Sequence, residues 1–181
     1  MKTGRVTYKI AVMGLFIALS YIGTRINFPV LVGGAKTMFH LGNSFCLLAA
    51  LLLGGAWGGF SGAVGMTFFD LTSGYQYYAP QTFVLKFIIG LICGILFRNL
   101  PIKNESVRVV VSCSAAMLFN VIFDPIASFF TSKYILGAPK ELSSLLAKWS
   151  MATTFVNAVI AVIIAAVLYK ALKTALIKKG V

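Results

Sequence analysis

The sequence predicts an all-α membrane protein: a bundle of six transmembrane helices with cytoplasmic N- and C-termini. Of its 181 residues, 59% are hydrophobic and only 11% are charged, whereas a soluble domain carries about 25% charged residues. Apolar runs long enough to cross a bilayer, about 20 residues each, recur along the whole chain. The cations behind the net charge of +12 lie between these runs. They therefore do not form the exposed basic face that nucleic-acid binding requires.

Glycine, proline and polar residues divide the chain into six predicted spans in one integral-membrane domain: 6–25, 41–55, 57–73, 81–98, 106–130 and 146–170. The first is expected to be a retained helix, because it is long enough to span and no small-residue cleavage site precedes a polar mature start. Residues 41–72 are almost continuously apolar but too long for one crossing. A tight turn is therefore expected near the glycines of 54–59.

The cations predict the orientation, because Lys and Arg in short loops stay on the cytoplasmic side. With the N-terminus inside, the inner segments hold Lys2, Arg5, Lys9, Arg98, Lys103, Arg108, Lys170, Lys173, Lys178 and Lys179, and the outer loops hold Arg25, Lys36, Lys133 and Lys140. The tail 170–179 is expected to lie over anionic headgroups. Two long outer connections, 27–40 and 131–145, and the shorter segment 73–80 are candidates for lids or binding loops.

Four ionisable residues are predicted at membrane depth, all in the outer half: Asp70, Lys86, Asp124 and Lys148. Each costs about 2.5 to 3.5 kcal/mol to insert, so a function is the first hypothesis for such residues. The alternative is that the two acids and the two bases simply neutralise each other.

Polar residues also recur at helical spacing on single faces. The stripes are Asn120, Asp124 and Ser128; Trp149, Thr153 and Asn157; and Thr82 with Lys86. Interhelical hydrogen bonds explain one stripe, but three at one depth favour a ligand cavity, with Trp149 and the cluster Tyr75, Tyr77 and Tyr78 as stacking surfaces. For the tyrosines alone, an interfacial aromatic belt is the simpler explanation.

Small residues form two patterns that allow close helix approach. Gly54, Gly58 and Gly62 repeat every four residues, which indicates packing within the bundle. On the first span, the face of Ala11, Gly14 and Ala18 either packs internally or receives helices of a partner subunit. The cysteines Cys46, Cys93 and Cys113 lie in apolar stretches and are assigned no function.

Catalytic motifs are weak, so no enzymatic activity is expected. Gly59-Phe60-Ser61-Gly62 matches the G-x-S-G of rhomboid intramembrane serine proteases, but those enzymes need a histidine on a later helix. The sole histidine, His40, precedes Ser61. The chain has no H-E-x-x-H, Cys/His cluster or P-loop, so we expect no metal or cofactor and no ATP hydrolysis by this chain.

The chain resembles the substrate-binding S components of energy-coupling factor (ECF) vitamin transporters of prokaryotes. The residues that carry the resemblance are the small-residue face of span one, the stretch from His40-Leu-Gly-Asn43 to Gly55, the glycine-rich span ending at Asp70, and the stretch Tyr78 to Gly90. The resemblance implies capture of a vitamin outside the cell membrane and association with a membrane T component and two ATPases. It also implies that Ala11, Gly14 and Ala18 dock on the T component and that residues 27–40 act as a gate.

The polar stripes and the resemblance together define the candidate substrate-binding residues: His40, Asn43, Asp70, Tyr78, Lys86, Asn120, Asp124, Lys148, Trp149, Thr153 and Asn157. Acids, bases, amides and aromatics in this mixture suit a small uncharged or zwitterionic heteroaromatic ring. Within the family the chain looks most like members assigned to pyridoxine or hydroxymethylpyrimidine. Pantothenate is next, because Lys86, Lys148 and His40 could receive its carboxylate, and riboflavin and folate follow.

Two other hypotheses concern the metal-specific members and the class of protein. Metal-specific S components begin with Met-His, whereas this chain begins Met1-Lys2, so cobalt and nickel are disfavoured. The chain could also be a stand-alone proton-coupled carrier that uses Asp70 or Asp124. Such carriers often show paired, interrupted halves, and no such pair is visible in the sequence.

Overall fold

The computed structural model describes the backbone of residues 2–32 and 35–177 and the side chains of 6–31 and 37–173. The elements are α1 (Lys2–Arg25), β1 (Asn27–Val32), β2 (Ala35–His40), α2 (Gly42–Leu53), α3 (Gly55–Thr72), α4 (Ala79–Asn99), α5 (Glu105–Phe130) and α6 (Lys140–Ile177). The chain is an all-α membrane protein with one short β-ribbon. Lys178 and Lys179 of the predicted tail, and residues 33 and 34 of the first outer connection, lie outside the described residues.

Among the described helices, the four that contain Val6–Arg25, Ala79–Asn99, Glu105–Ile135 and Lys140–Lys173 are long and apolar enough to cross a membrane. The helix α2 has only 12 residues, so it is about 18 Å long, shorter than the roughly 30 Å of a hydrocarbon core. Length and composition therefore support four crossings. The count of six crossings and the cytoplasmic termini stay predictions.

The short helix α2 lies at the centre of the bundle. All of its residues except Phe45 are buried, and it packs against α1, α3, α4 and α6. A helix that is apolar on every side is stable only when other helices surround it. This central position explains why a near-continuous run of Leu and Ala forms a helix too short to span.

The glycines of α3 pack inside the bundle. The turn between α2 and α3 is at Gly54, whose φ of +93° is a conformation that other residues rarely adopt. A Cβ atom on Gly58 would lie 2.2 Å from the backbone nitrogen of Ala50 in α2, and one on Gly90 of α4 would lie 2.1 Å from the Cα atom of Gly59. The glycines therefore bring α3 into backbone contact with α2 and α4.

Both long outer connections differ from the predicted loops. Residues 27–32 and 35–40 pair as antiparallel strands, and this hairpin of β1 and β2 places Asn27 opposite His40. Residues 131–145 are mostly helical, because a π-helical turn at Thr131–Ile135 continues α5 and α6 already begins at Lys140. The helix starts early because Pro139 is followed by Lys, Glu and Leu, which favour helix formation.

Three of the cations predicted to be cytoplasmic, Arg98, Arg108 and Lys173, lie at one end of the bundle. The guanidinium of Arg98 lies beside Gly54, and that of Arg108 lies 5.0 Å from the centre of the Phe97 ring. Lys173 forms an ion pair with Glu105. The candidate site lies at the opposite end, beneath the hairpin.

Candidate functional site

A cavity of about 130 Å³ lies at the end of the bundle that carries the hairpin. Its walls come from the ends of α1 and α5, the beginnings of α2, α4 and α6, the second half of α3, β2, and the segment between α3 and α4. All candidate substrate-binding residues except Lys148 line it. Stripes that the sequence places on separate helices therefore face one another across a single space.

Lys148 is the exception, because its side chain is exposed and lies outside the cavity wall. On α6 the cavity is lined by Leu146, Trp149, Ser150, Thr153, Thr154 and Asn157. These positions recur at three- and four-residue spacing, which is one face of an α-helix. Lys148 precedes Trp149 by one residue and is therefore rotated by about 100° from that face.

Lys86 is buried at the cavity wall and is not paired with an acid. Only 5% of its surface is exposed, and its Nζ donates a hydrogen bond to Asn120 Oδ1 at 3.0 Å. Among the described side chains, no carboxylate forms an ion pair with it; the ion pair found there joins Lys173 and Glu105 at the other end. Among the described side chains, neither Lys86 nor Lys148 therefore forms a direct ion pair with Asp70 or Asp124.

The carboxylate of Asp124 is held by hydroxyl groups of α6. Its Oδ2 accepts hydrogen bonds from Ser150 Oγ at 2.7 Å and from Thr154 Oγ1 at 3.0 Å. Pro125 follows it inside α5, and proline cannot donate to the carbonyl four residues earlier. Through its hydrogen bonds to Ser150 and Thr154, Asp124 joins α5 to α6 near the cavity.

Three buried polar atoms of cavity-lining residues have no hydrogen-bond partner within the described part of the chain: Asn43 Oδ1, Asp70 Oδ2 and Asn120 Nδ2. Their side chains are 1%, 7% and 0% exposed, respectively. A buried polar group without a partner costs about 1 to 3 kcal/mol. Two acceptors and one donor at the wall are what a polar solute or bound water would satisfy.

His40 lies at the end of β2 and is held in one orientation. Its Nδ1 accepts a hydrogen bond from the backbone N–H of Gly42 at 3.2 Å, so the ring proton is on Nε2. Burial, and secondarily the charge of Lys86, lower the pKa of His40 to about 3. The imidazole of this lining residue is therefore neutral at physiological pH, with its N–H donor on Nε2.

Aromatic side chains complete the wall. Trp149 is 43% exposed, and Tyr75 and Tyr78 also line the cavity. The ring of Tyr75 stacks on Phe69 with centroids 6.0 Å apart, which orients it. Tyr77 is not part of the wall and is 53% exposed.

Some lining residues were not predicted from sequence: Thr24, Thr37, Met38, Met66, Gln81, Ser132, Leu146, Ser150 and Thr154. For Ser150 and Thr154 a signal existed, because they are four residues apart and adjoin the Trp149 stripe. Thr37 and Met38 belong to a strand, whose alternation is too short here to be recognised in a chain dominated by helices.

The catalytic alternatives gain no support from the geometry. Ser61 Oγ donates to the carbonyl of Trp57 at 2.8 Å, within its own helix, and Ser61 is not part of the cavity wall that His40 lines. Within the described residues, no three His, Cys, Asp or Glu side chains are grouped so that they could hold a metal ion.

The small-residue face of α1 points away from the bundle. Ala11, Gly14 and Ala18 are exposed, whereas Val12 and Phe16 are buried. A Cβ atom on Gly14 would meet no described atom within 4 Å. The face therefore does not pack within the described part of this chain, in contrast to the glycines of α3.

These features define a class: an α-helical membrane protein that encloses a polar cavity for a small solute near one end of its helix bundle. Residues 5–174 match the family of ECF-type riboflavin transporter S components. The chain therefore belongs to this family, and it is a membrane subunit of the kind that binds the transported vitamin and associates with T and ATPase subunits. The resemblance to S components is confirmed, whereas assignment to the hydroxymethylpyrimidine/pyridoxine group is not. No curated protein matches the chain.

Proposed function

We propose that this S component captures a single-ring, water-soluble vitamin or vitamin precursor at the outer face of a prokaryotic cell membrane, with pyridoxine or hydroxymethylpyrimidine as the favoured solutes. The observation that carries this proposal is the cavity, with its unpartnered atoms on Asn43, Asp70 and Asn120 and the aromatic side chain of Trp149. Donors and acceptors from three helices, together with an indole from α6, suit a small polar ring.

The size of the cavity favours one ring over three. Its volume of about 130 Å³ is below the roughly 300 to 1,000 Å³ that sites for drug-sized ligands occupy. Riboflavin, which the family description names, carries three fused rings and a polyol chain. It requires a considerably larger space than pyridoxine does.

The charges disfavour pantothenate. Of the three groups that could receive its carboxylate, Lys148 lies outside the cavity wall. The lowered pKa of His40 keeps its imidazole neutral. Only Lys86 is left as a cation, and Asp70 and Asp124 line the same cavity. A net anionic solute is therefore less favoured than a neutral or zwitterionic one.

The chain supplies binding and its partners supply energy. In this proposal it is not an enzyme and carries no resident cofactor, and ATP hydrolysis occurs in two ATPase subunits joined through a T component. The T component docks on the exposed face of Ala11, Gly14 and Ala18, because small residues on an outward face let another helix approach closely. Affinity purification of the tagged chain from its native membrane should recover a T component and two ATPases. Recovery of the chain alone, in an active state, would favour a stand-alone carrier.

A titration with a vitamin panel tests the choice of solute. The chain has two tryptophans, and Trp57 is not part of the cavity wall, so the Trp57→Phe variant isolates the signal of Trp149. We expect saturable fluorescence changes with pyridoxine or hydroxymethylpyrimidine and weaker changes with pantothenate. Riboflavin is followed through its own fluorescence. Tight riboflavin binding would overturn the single-ring proposal, and binding of none of the four would overturn the vitamin-binding role of this cavity.

A further inference from the structure

The hairpin of β1 and β2 forms part of the cavity wall through Thr37, Met38 and His40. Burial of apolar side chains contributes little to holding β1 in place, because Phe28 and Leu31 are 73% and 71% exposed. Since the hairpin lines the cavity, the contacts that fasten it decide whether this part of the wall stays in place.

The strand β2 is fastened to α6 by an amide. Asn157 Nδ2 donates to the carbonyl of Met38 at 3.0 Å, and the backbone N–H of His40 donates to Asn157 Oδ1 at 3.1 Å. Beside this pair, the hydroxyls of Thr37 and Thr153 lie 2.8 Å apart. Asn157 and Thr153 are four residues apart on α6, so both belong to one helix face.

The strand geometry explains why Met38 and His40 are available. Residues two apart in a strand present their N–H and C=O groups at the same edge. Pro29 lies opposite Met38 and has no N–H to donate to it. The backbone groups of Met38 and His40 are therefore directed to the edge away from β1, where the Asn157 amide pairs with them as a third strand would.

We propose that Asn157 is a positioning residue that fastens the hairpin over the cavity, with Thr153 as a second point of attachment, and that its amide serves this contact in place of a direct contact with the solute. The proposal rests on the proposed function, in which a solute occupies the cavity. Both polar groups of the amide are already used by β2, unlike the unpartnered atoms on Asn43 and Asn120.

The C-terminal end of β2 remains attached to α1 and α2 when the contact with Asn157 breaks. The N–H of Leu41 donates to the carbonyl of Gly23 at 2.9 Å, and the N–H of Gly42 donates to His40 Nδ1. The base of the hairpin is thus tied to α1 and α2. Separation of β2 from α6 opens the wall at Thr37 and Met38 while the chain pivots near residues 40–42.

Release of the solute is the first observable consequence. Asn157→Ala removes two hydrogen bonds between neutral groups, which at ordinary strength corresponds to an increase of about 30-fold in the rate of hairpin opening and hence of solute dissociation. A lost solute contact would also speed release. A second readout that involves no solute is therefore required.

Pulsed electron paramagnetic resonance supplies that readout. Nitroxide labels on Leu31→Cys and Glu141→Cys report the distance from β1 to the start of α6, and the native cysteines are buried and free. Without any vitamin, we expect one narrow distance distribution in the otherwise unchanged protein and a broader, longer one after Asn157→Ala. The matched control is Asn120→Ala, which alters another cavity asparagine that makes no described contact with the hairpin. It should leave the distribution unchanged.

An unchanged distribution in Asn157→Ala, together with weakened vitamin binding, would overturn the proposal and make Asn157 a solute contact. If Asn157→Ala fails to fold, Thr37→Val and Thr153→Val test the second attachment point. Each should broaden the distribution, and the double variant should add little to either single one. If the broadening in the double variant equals the sum of the two single effects, Thr37 and Thr153 do not act through one contact, and the second attachment point is overturned. Because the distances are measured without solute, failure of the vitamin titration and failure of the fastening are separate outcomes.

Discussion

Replacement of Lys86 by methionine is the sharpest test of the proposed binding site. Lys86 is buried in the wall, and within the described part of the chain one of its three N–H donors is used, by Asn120. Methionine has a similar length and no charge. The substitution therefore removes the donors while it keeps most of the packing.

The expected loss of affinity follows from the N–H donors of Lys86 that Asn120 does not use and that can bond to the solute. A hydrogen bond from a charged group contributes about 1.5 to 3 kcal/mol, so loss of one such bond to the solute corresponds to an increase of about 10- to 150-fold in Kd. The thermal midpoint should change little. Removal of a buried, unpaired charge is favourable and offsets the hydrogen bond that Asn120 loses.

The assay is titration of the Trp57→Phe protein with the best solute from the vitamin panel, followed through Trp149. Lys148→Met is the matched control, since Lys148 is exposed outside the cavity wall, and it should bind as the parent does. A Kd within threefold of the parent for Lys86→Met would refute the argument and make Lys86 a structural partner of Asn120. An equal loss in Lys148→Met would show that the cavity boundaries are wrong.

Three further predictions concern packing, docking and pH. Gly90→Ala should destabilise the protein by about 1 to 3 kcal/mol, because the new Cβ would lie 2.1 Å from the Cα atom of Gly59. Thermal unfolding measures this effect, and a midpoint as high as that of the control Gly14→Ala would contradict the prediction. Gly14→Leu should abolish uptake by the complete transporter but leave vitamin affinity intact, and loss of both would place that face inside the bundle. Because the pKa of His40 is lowered to about 3, its imidazole stays neutral between about pH 5 and pH 8. The dependence of vitamin affinity on pH should therefore show no transition near pH 6.5, and His40→Gln should leave the shape of this dependence unchanged.

The helical content was predictable because it depends on local sequence. Apolar runs predicted where helices lie, and the i to i+4 stripes predicted which faces of α5 and α6 carry polar groups. Asn120, Asp124, Thr153 and Asn157 accordingly line the cavity. Lys148 could have been recognised as off the face, because it is adjacent to Trp149 and not three or four residues from it. Its charge alone made it a candidate.

The β-hairpin and the length of α6 were not predictable in the same way. Residues 27–40 contain two glycines and a proline in a short, mixed apolar and polar segment, which is typical of a loop as well as of strands. What stabilises β2 is partly the amide of Asn157. That residue is distant in sequence, so no local pattern reveals the contact.

By itself, the sequence determined that the chain is a membrane protein built from helices, with cations between the apolar runs and polar stripes at one depth. These properties follow from hydropathy and from the 3.6-residue period of the helix, which are local. Only the tertiary structure decided that Lys86 bonds to Asn120 and, among the described side chains, forms no ion pair with an acid. It also decided that Asp124 accepts from hydroxyls of α6 and that Asn157 bonds to β2. These partners depend on how each helix is rotated and how closely it packs, which the glycines of α3 and the central position of α2 determine together.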